Sequence, residues 1–209
     1  PRRSLPMEPM QTEERRLTVE RNVPVDALYM AFHMCSRNHP DYYAFDMLSD
    51  LLSSGRSSRF VQHLVQDKQI FNSIDAYISG SIDNGLFHIV GKPAPEKTLE
   101  EAEKAIWEEL ALLTEGSIDE NELEKVKNRY ESEQIFNNLN YLNVATNLAY
   151  FELIGKAEDI NTEVEKYRSV TQEQIKRAAK QTFLPENCSV LYYNCLLYTS
   201  PSPRDYAAS

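Results

Sequence analysis

The chain has 209 residues, of which 42% are hydrophobic and 26% are charged, a composition typical of a globular protein with a sizeable core. The 22 basic and 32 acidic side chains give a formal net charge of -10 without any basic patch. We therefore expect no nucleic-acid partner, because such proteins neutralise phosphates with clustered Lys and Arg. No apolar run is long enough to span a bilayer, so we expect no membrane partner either.

The two ends of the chain differ from the rest in composition. Residues 1–11 are rich in Pro and Met without periodicity, and they are predicted to form a linker. Residues 195–209 resemble translated sequencing-adapter sequence and are predicted to be a non-native tail. The folded domain is therefore predicted to span residues 12–194. Three cysteines without metal-type spacing and no secretory signal predict a reducing, cytoplasmic location.

The first half of the domain is predicted as two strands followed by two helices. Residues 12–20 read as an edge strand and residues 23–34 as a buried strand. A helix is predicted after Pro40, with an apolar face formed by Ala44, Met47, Leu48, Leu51 and Leu52. A break at Gly55 separates it from a second helix, whose apolar face comprises Phe60, Val61, Leu64 and Val65.

A hairpin and further helices are predicted next. Residues 70–79 and 86–90 read as two strands joined by a turn at residues 83–85. The helices that follow are recognised by their N-terminal capping pairs, which are Thr98 with Glu101, Ser117 with Glu120, and Thr171 with Gln174. The helix after Ser117 is predicted to be interrupted near Asn137 and to end near Ile154, and residues 188–193 read as a last strand.

Strands and helices do not alternate strictly along the chain, so the predicted fold class is α+β. We expect a mostly antiparallel sheet with helices packed on one face. The acidic residues of the helix after Thr98, including Glu103 and Glu109, are predicted to lie on a solvated face.

No complete catalytic site is evident in the chain. The four histidines, His33, His39, His63 and His88, lack the one-turn spacing that a zinc-binding helix needs, so no metal site is predicted in this chain. Nucleophile-elbow and phosphate-binding glycine motifs are missing as well. The Ser-rich segment at residues 53–58 is interpreted as the end of one helix and the start of the next, because Gly and Ser are favoured cap residues.

One stretch carries a more specific pattern. Residues 39–44 (HPDYYA) lead into a helix, residues 51–60 (LLSSGRSSRF) follow, and then come a short helix and the hairpin. This order resembles the pitrilysin/insulinase family of zinc metallopeptidases, the inverzincins, over nearly all of residues 12–194. In that family the pattern recurs in two homologous halves.

The resemblance implies that this chain is the C-terminal, non-zinc-binding half, bacterial type, of such a peptidase. The N-terminal half carries His-x-x-Glu-His in its first long helix, whereas residues 41–52 contain no histidine. Zinc is then expected in the parent protein, held by a homologous zinc-binding half in the same polypeptide or in a partner subunit. The implied substrate is a peptide, and residues 1–11 would link this half to the missing one.

The resemblance also implies an arginine and a tyrosine that contact bound peptide, but the matching positions hold Val65 and Asn72. Neither side chain reproduces the arginine or phenol. Lys68 and Tyr77 lie nearby, so the predicted substrate-binding residues are Lys68, Asn72 and Tyr77.

The sequence is therefore compatible with two functions. In the first, this half forms the wall of a chamber that confines peptides, while the other half supplies zinc and the general base. In the second, it is a non-catalytic scaffold or core subunit of the same family. An unrelated α+β binding module is disfavoured by the length of the match.

Overall fold

The computed structural model describes residues 8–196, which form one five-stranded sheet, six α-helices, a π-helix and two short 3-10 helices. The strands are β1 (Arg15–Arg21), β2 (Ala27–Ser36), β3 (Phe71–Ser79), β4 (Asn84–Pro93) and β5 (Cys188–Cys195). The α-helices are α1 (Tyr42–Ser53), α2 (Leu99–Glu115), α3 (Glu120–Asn137), α4 (Tyr141–Ile154), α5 (Glu163–Arg168) and α6 (Gln172–Thr182).

The sheet has the order β1-β5-β2-β4-β3. Strand β2 pairs antiparallel with β4 and β5, and β3 pairs antiparallel with β4. The exception is β1, which lies parallel to β5 at one edge. The predicted α+β class and mostly antiparallel sheet are confirmed, as is the edge position of the first strand.

The core lies between one face of the sheet and the helices. Side chains that alternate along the central strands, Leu28, Met30 and Phe32 on β2 and Phe87 and Ile89 on β4, are almost fully buried. They pack with the predicted apolar face of α1 and with α2 and α6. Each such side chain contributes about 1.5–3 kcal/mol through burial, so this layer holds the sheet and helices together.

Two of the three predicted capping pairs mark where helices begin. The Thr98 hydroxyl accepts from the Glu101 backbone N–H at 3.1 Å, and Thr171 does the same for Gln174 at 3.3 Å, as predicted. The third prediction is wrong. Helix α3 is capped by Asp119, whose carboxylate accepts from the Asn121 N–H at 2.8 Å, because the chain stays extended until that residue.

The hairpin is confirmed, but its turn lies earlier than predicted. Asn84 and Gly85 already pair with Ser36 and Met34 and belong to β4, so the strands are joined through residues 80–83. A Cβ atom at Gly85 would lie 2.5 Å from the Ser79 carbonyl oxygen. Glycine at this position therefore allows β3 and β4 to approach closely and does not form the turn.

The segment after Gly55 is helical but forms a π-helix, Phe60–Asp67, with Phe60 and Leu64 buried. The predicted break near Asn137 is confirmed by the separation of α3 from α4. Helix α5 was not predicted.

The predicted linker and tail remain predictions, since residues 1–7 and 197–209 lie outside the described part. Within it, Gln11 is buried and donates to the Cys188 carbonyl at 2.8 Å, and β5 continues to the buried Cys195. Among the helices of residues 8–196, none combines the length and apolar character needed to cross a membrane.

Candidate functional site

The face of the sheet opposite the helices is open. The strand register places Leu17 on β1 beside Leu191 on β5, Leu191 beside Tyr29 on β2, and Tyr29 beside Val90 on β4. Leu17 is 61% exposed and Tyr29 is 40% exposed. We call this side of the sheet the open face. The four residues form an apolar strip that crosses four strands of the open face and is accessible from solvent.

A second row of the open face is aromatic and polar. Ala31, His88 and Tyr77 lie side by side on β2, β4 and β3. The Tyr77 ring stacks on the His88 ring with centroids 4.9 Å apart, and His88 Nε2 lies 3.0 Å from the Ser79 hydroxyl. Burial lowers the pKa of His88 below its ordinary value, which favours the neutral imidazole.

The open face contains a shallow cavity of about 340 Å³. Its lining is mainly apolar and includes Leu17, Tyr29, Ala31, Val90 and Leu191, with Arg15 among the lining residues on β1. Concave, mostly apolar surfaces with a few polar groups are typical of ligand sites. The cavity has the character expected of a surface that receives apolar side chains.

The structure places the predicted substrate-binding residues apart. Tyr77 is 48% exposed on the open face, and Asn72 is exposed on the edge strand β3. Lys68 directly follows the π-helix, and its ammonium lies 3.4 Å from Glu108 on α2, which packs against the other face of the sheet. Of the three, Tyr77 is the one that lies on the open face.

The segment that carried the family resemblance has a structural role in the fold. Gly55 adopts φ 86°, a left-handed conformation that favours glycine, two residues after the end of α1. The Ser58 hydroxyl donates back to the Gly55 carbonyl at 2.8 Å. The interpretation that a serine, Ser57 or Ser58, caps the second helix is wrong, because the residue that precedes the π-helix is Arg59 and no side chain caps it. Arg59 donates to both oxygens of Glu122, at 2.9 and 3.0 Å, which joins this segment to α3.

Two carboxylates predicted to be solvated are buried instead. Glu103 is 6% exposed and accepts hydrogen bonds from Arg16, Trp107 and Tyr192. Burial favours the neutral acid, but these donors outweigh it and hold the pKa of Glu103 below its ordinary value. A helical charge pattern cannot reveal donors on other elements, so the prediction failed here.

Glu109 is 1% exposed, and one of its carboxylate oxygens lies 2.8 Å from His63 Nδ1 on the π-helix. The four histidines lie on different elements, and no group of three or more potential metal ligands occurs within residues 8–196. The donor set of this part of the chain therefore does not match a zinc site.

The comparisons with known proteins agree on one family. The model of the family described as "Peptidase M16 inactive domain" matches residues 1–130. The chain is 25% identical over 179 residues to the uncharacterized zinc protease YmxG of Bacillus subtilis (strain 168), which covers 85% of this chain and 43% of that protein.

Two solved structures share the fold. A protease from Helicobacter pylori superposes with a TM-score of 0.85 at 22% identity, over 90% of this chain and 46% of that one. A chain in complex III2 from Candida albicans gives 0.73 at 17% identity, over 92% of this chain and 48% of that one. The chain thus spans about half the length of these proteins. The family match over more than half of its residues shows that this chain belongs to the Peptidase M16 inactive domain family.

Proposed function

We propose that this chain is the non-zinc-binding half of a zinc metalloendopeptidase, and that its open face forms part of the wall of a peptide-confining chamber. The observation that carries the proposal is the open face itself. An apolar, aromatic strip spanning four strands offers contacts to the apolar side chains of a bound peptide, because burying apolar surface between them is favourable.

The potential metal ligands of this chain indicate which half binds zinc. Zinc, where bound, supplies an activated water for attack on a peptide carbonyl. Since the described residues of this chain do not form a zinc site, we assign both the metal and the general base to the homologous half. The name of the Bacillus subtilis relative as a zinc protease supports zinc in the parent protein.

Within this half, Tyr77 is the strongest candidate for peptide contact. Its ring is held by the stack on His88, so little conformational entropy is lost when a peptide side chain packs on it. Asn72 and Lys68 remain proposed contacts. Asn72 could meet a peptide passing over the β3 edge, and Lys68 could do so only by leaving Glu108.

A second candidate is a non-catalytic scaffold. It is favoured by the likeness to a chain of complex III2 and by Val65 and Asn72 at the positions of the expected arginine and tyrosine. The sequence directly upstream of Pro1 separates the two functions, because His-x-x-Glu-His in a homologous half supports the peptidase.

The test is peptide hydrolysis by the assembled protein. We expect cleavage of a quenched peptide, and we expect Tyr29→Glu to raise KM about tenfold, since a carboxylate on the apolar strip weakens peptide contact. Leu112→Glu is the matched control, because Leu112 is an exposed leucine on α2, away from the open face. Wild-type assembly that cleaves no peptide would favour the scaffold, and an unchanged KM in Tyr29→Glu would remove the open face from the proposal.

A further inference from the structure

A cavity of about 300 Å³ lies on the helical side of the sheet, away from the open face. Its lining includes Asp46 from α1, Tyr130 from α3, Tyr150 from α4 and Tyr167 from α5. Tyr150 is 40% exposed, so the cavity is accessible from solvent. We call it the tyrosine cavity. The proposed function uses none of these residues.

Two of the charged groups in the tyrosine cavity neutralise each other. Arg37 donates to one carboxylate oxygen of Glu163 at 2.5 Å, and the Tyr43 hydroxyl donates to the other at 3.1 Å. Arg37 and Glu163 are both buried. The Arg37 guanidinium also lies 4.4 Å from the centroid of the Tyr42 ring, within cation–π distance. Arg37 is therefore engaged inside the protein and does not turn this cavity into a site for anions.

The third charged group, Asp46, is not neutralised in this way. Its carboxylate accepts a hydrogen bond from the Tyr167 hydroxyl, but within residues 8–196 it forms no ion pair with a basic side chain. Burial raises the pKa of Asp46, and the negative charge of Glu163 acts in the same direction. Tyr167 and the more distant Arg37 oppose this shift without cancelling it. A cation that enters the cavity would therefore stabilise the Asp46 carboxylate.

The aromatic part of the lining also suits a cation. Burial, followed by the charges of Glu163 and Asp46, raises the pKa of Tyr130 above its ordinary value. The negative field of the two carboxylates thus reaches this ring. Aromatic rings attract ammonium groups to their faces, and the rings of Tyr130 and Tyr150 both line the cavity.

Three carboxamides complete the lining. The side chains of Gln134, Asn137 and Asn147 form no hydrogen bond within the part of the chain that the structure describes. Their oxygens are therefore available as acceptors. An ammonium group carries three donors and no acceptor, so a carboxylate together with amide oxygens matches its hydrogen-bonding capacity.

We propose that the tyrosine cavity binds an alkylammonium group, carried either by a lysine side chain of a peptide or by a free polyamine. The ammonium pairs with Asp46, and its carbon stem packs on the tyrosine rings and on Phe151. An anion would face Asp46 and Glu163, and a neutral ligand would leave Asp46 without a cation. The inference goes beyond the proposed function, because this binding needs neither zinc nor peptide hydrolysis.

The test is isothermal titration calorimetry of the full chain with three probes. The first is a capped tripeptide with a central lysine, the second is its norleucine counterpart, and the third is spermidine. Norleucine keeps the carbon stem without the ammonium, so we expect it to bind at least about tenfold more weakly than lysine. The ratio of the lysine-peptide and spermidine affinities distinguishes a peptide from a free polyamine as the source of the ammonium.

Variants locate the binding. Asp46→Asn is expected to lower the affinity for the ammonium probes at least about tenfold, although its amide oxygen still accepts from Tyr167. Asp67→Asn, at an exposed position at the end of the π-helix, removes the same charge and should bind like wild type. Tyr150→Ala should lower the affinity about threefold without affecting folding, because this ring is at the solvent-accessible side of the cavity. Circular dichroism checks that each variant is folded.

Three results would overturn the inference. The first is wild-type chain that shows no saturable binding of either ammonium probe. The second is equal affinity for the lysine and norleucine peptides, which would show that the charge is not recognised. The third is an equal effect of Asp46→Asn and Asp67→Asn, since binding would then reflect only the net charge of the chain.

These results are independent of peptide cleavage by the assembled protein. The proposed function therefore stands or falls separately.

Discussion

The carboxylate of Asp46 on α1 accepts a hydrogen bond from the Tyr167 hydroxyl on α5, although the two residues are 121 positions apart. The Tyr167 ring stacks on Tyr130 of α3 with centroids 3.6 Å apart. A buried polar cluster thus connects three helices below α4. Burial raises the pKa of Asp46, and the Tyr167 hydroxyl acts in the opposite direction by stabilising the carboxylate.

Removing that hydroxyl should destabilise the fold. Tyr167→Phe keeps the ring but leaves a buried carboxyl group without its donor, which costs about 1–3 kcal/mol. Urea unfolding followed by circular dichroism measures the change. Tyr141→Phe is the matched control, because Tyr141 is 91% exposed and its loss should change stability little. Equal midpoints for the two variants would show that the Asp46–Tyr167 bond contributes nothing.

Asp50 should make stability fall with rising pH. Burial and the nearby Asp46 raise the pKa of Asp50 from 3.8 to about 6. The folded state therefore binds more protons than the unfolded state between these values, so the stabilising contribution present below pH 3.8 is lost as pH rises toward about 6.

Asp50→Asn should remove this loss, because the amide stays neutral. The variant should match wild type near pH 4 and exceed its unfolding free energy by about 1–3 kcal/mol at pH 7. Asp75→Asn, at an exposed position on β3, serves as control. A stability difference that stays constant across this pH range would contradict the assignment.

Gly91 should tolerate no side chain. A Cβ at this position on β4 would lie 2.4 Å from the ring of Phe71, which is 2% exposed and cannot move into solvent cheaply. Gly91→Ala should lower the unfolding free energy by about 1–3 kcal/mol through overpacking. Lys92→Ala at the next, exposed position should have little effect in the same thermal or urea unfolding measurement.

Peptide contact should depend most on Tyr77. In the assembled protein, Tyr77→Ala is expected to raise KM about three- to tenfold with kcat unchanged, because it removes binding that is equal in ground and transition states. Lys68→Ala and Asn72→Ala should give smaller changes in KM. A drop in kcat alone would instead place Tyr77 close to the chemistry, against the proposed role of this half.

Patterns within one element predicted this fold well. The apolar spacing of α1 and the Thr98 and Thr171 caps depend on residues three or four positions apart, and all three are confirmed. The parallel pairing of β1 with β5 could not be predicted from the sequence, because it joins residues more than 170 positions apart. Local spacing carries no information on such pairs.

The candidate site was harder to predict for the same reason. The open face arises from side chains of four strands, and in β2 and β4 its members alternate with buried ones. Tyr77 was predicted from the sequence because it lies near Asn72, where the family resemblance implies a tyrosine. Leu17, Tyr29 and Leu191 belong to no motif and were not predicted. Alternation in β2 and β5 was the usable signal, since it predicts one buried and one open row.

The most direct test of the central claim compares this chain alone with this chain joined to the zinc-binding half. Cleavage of a quenched peptide is measured for each with added zinc, before and after a chelator. We predict that the chain alone neither cleaves nor binds an equivalent of zinc, and that the joined protein cleaves until the chelator is added. Cleavage by the chain alone, or cleavage that survives chelation, would contradict the account.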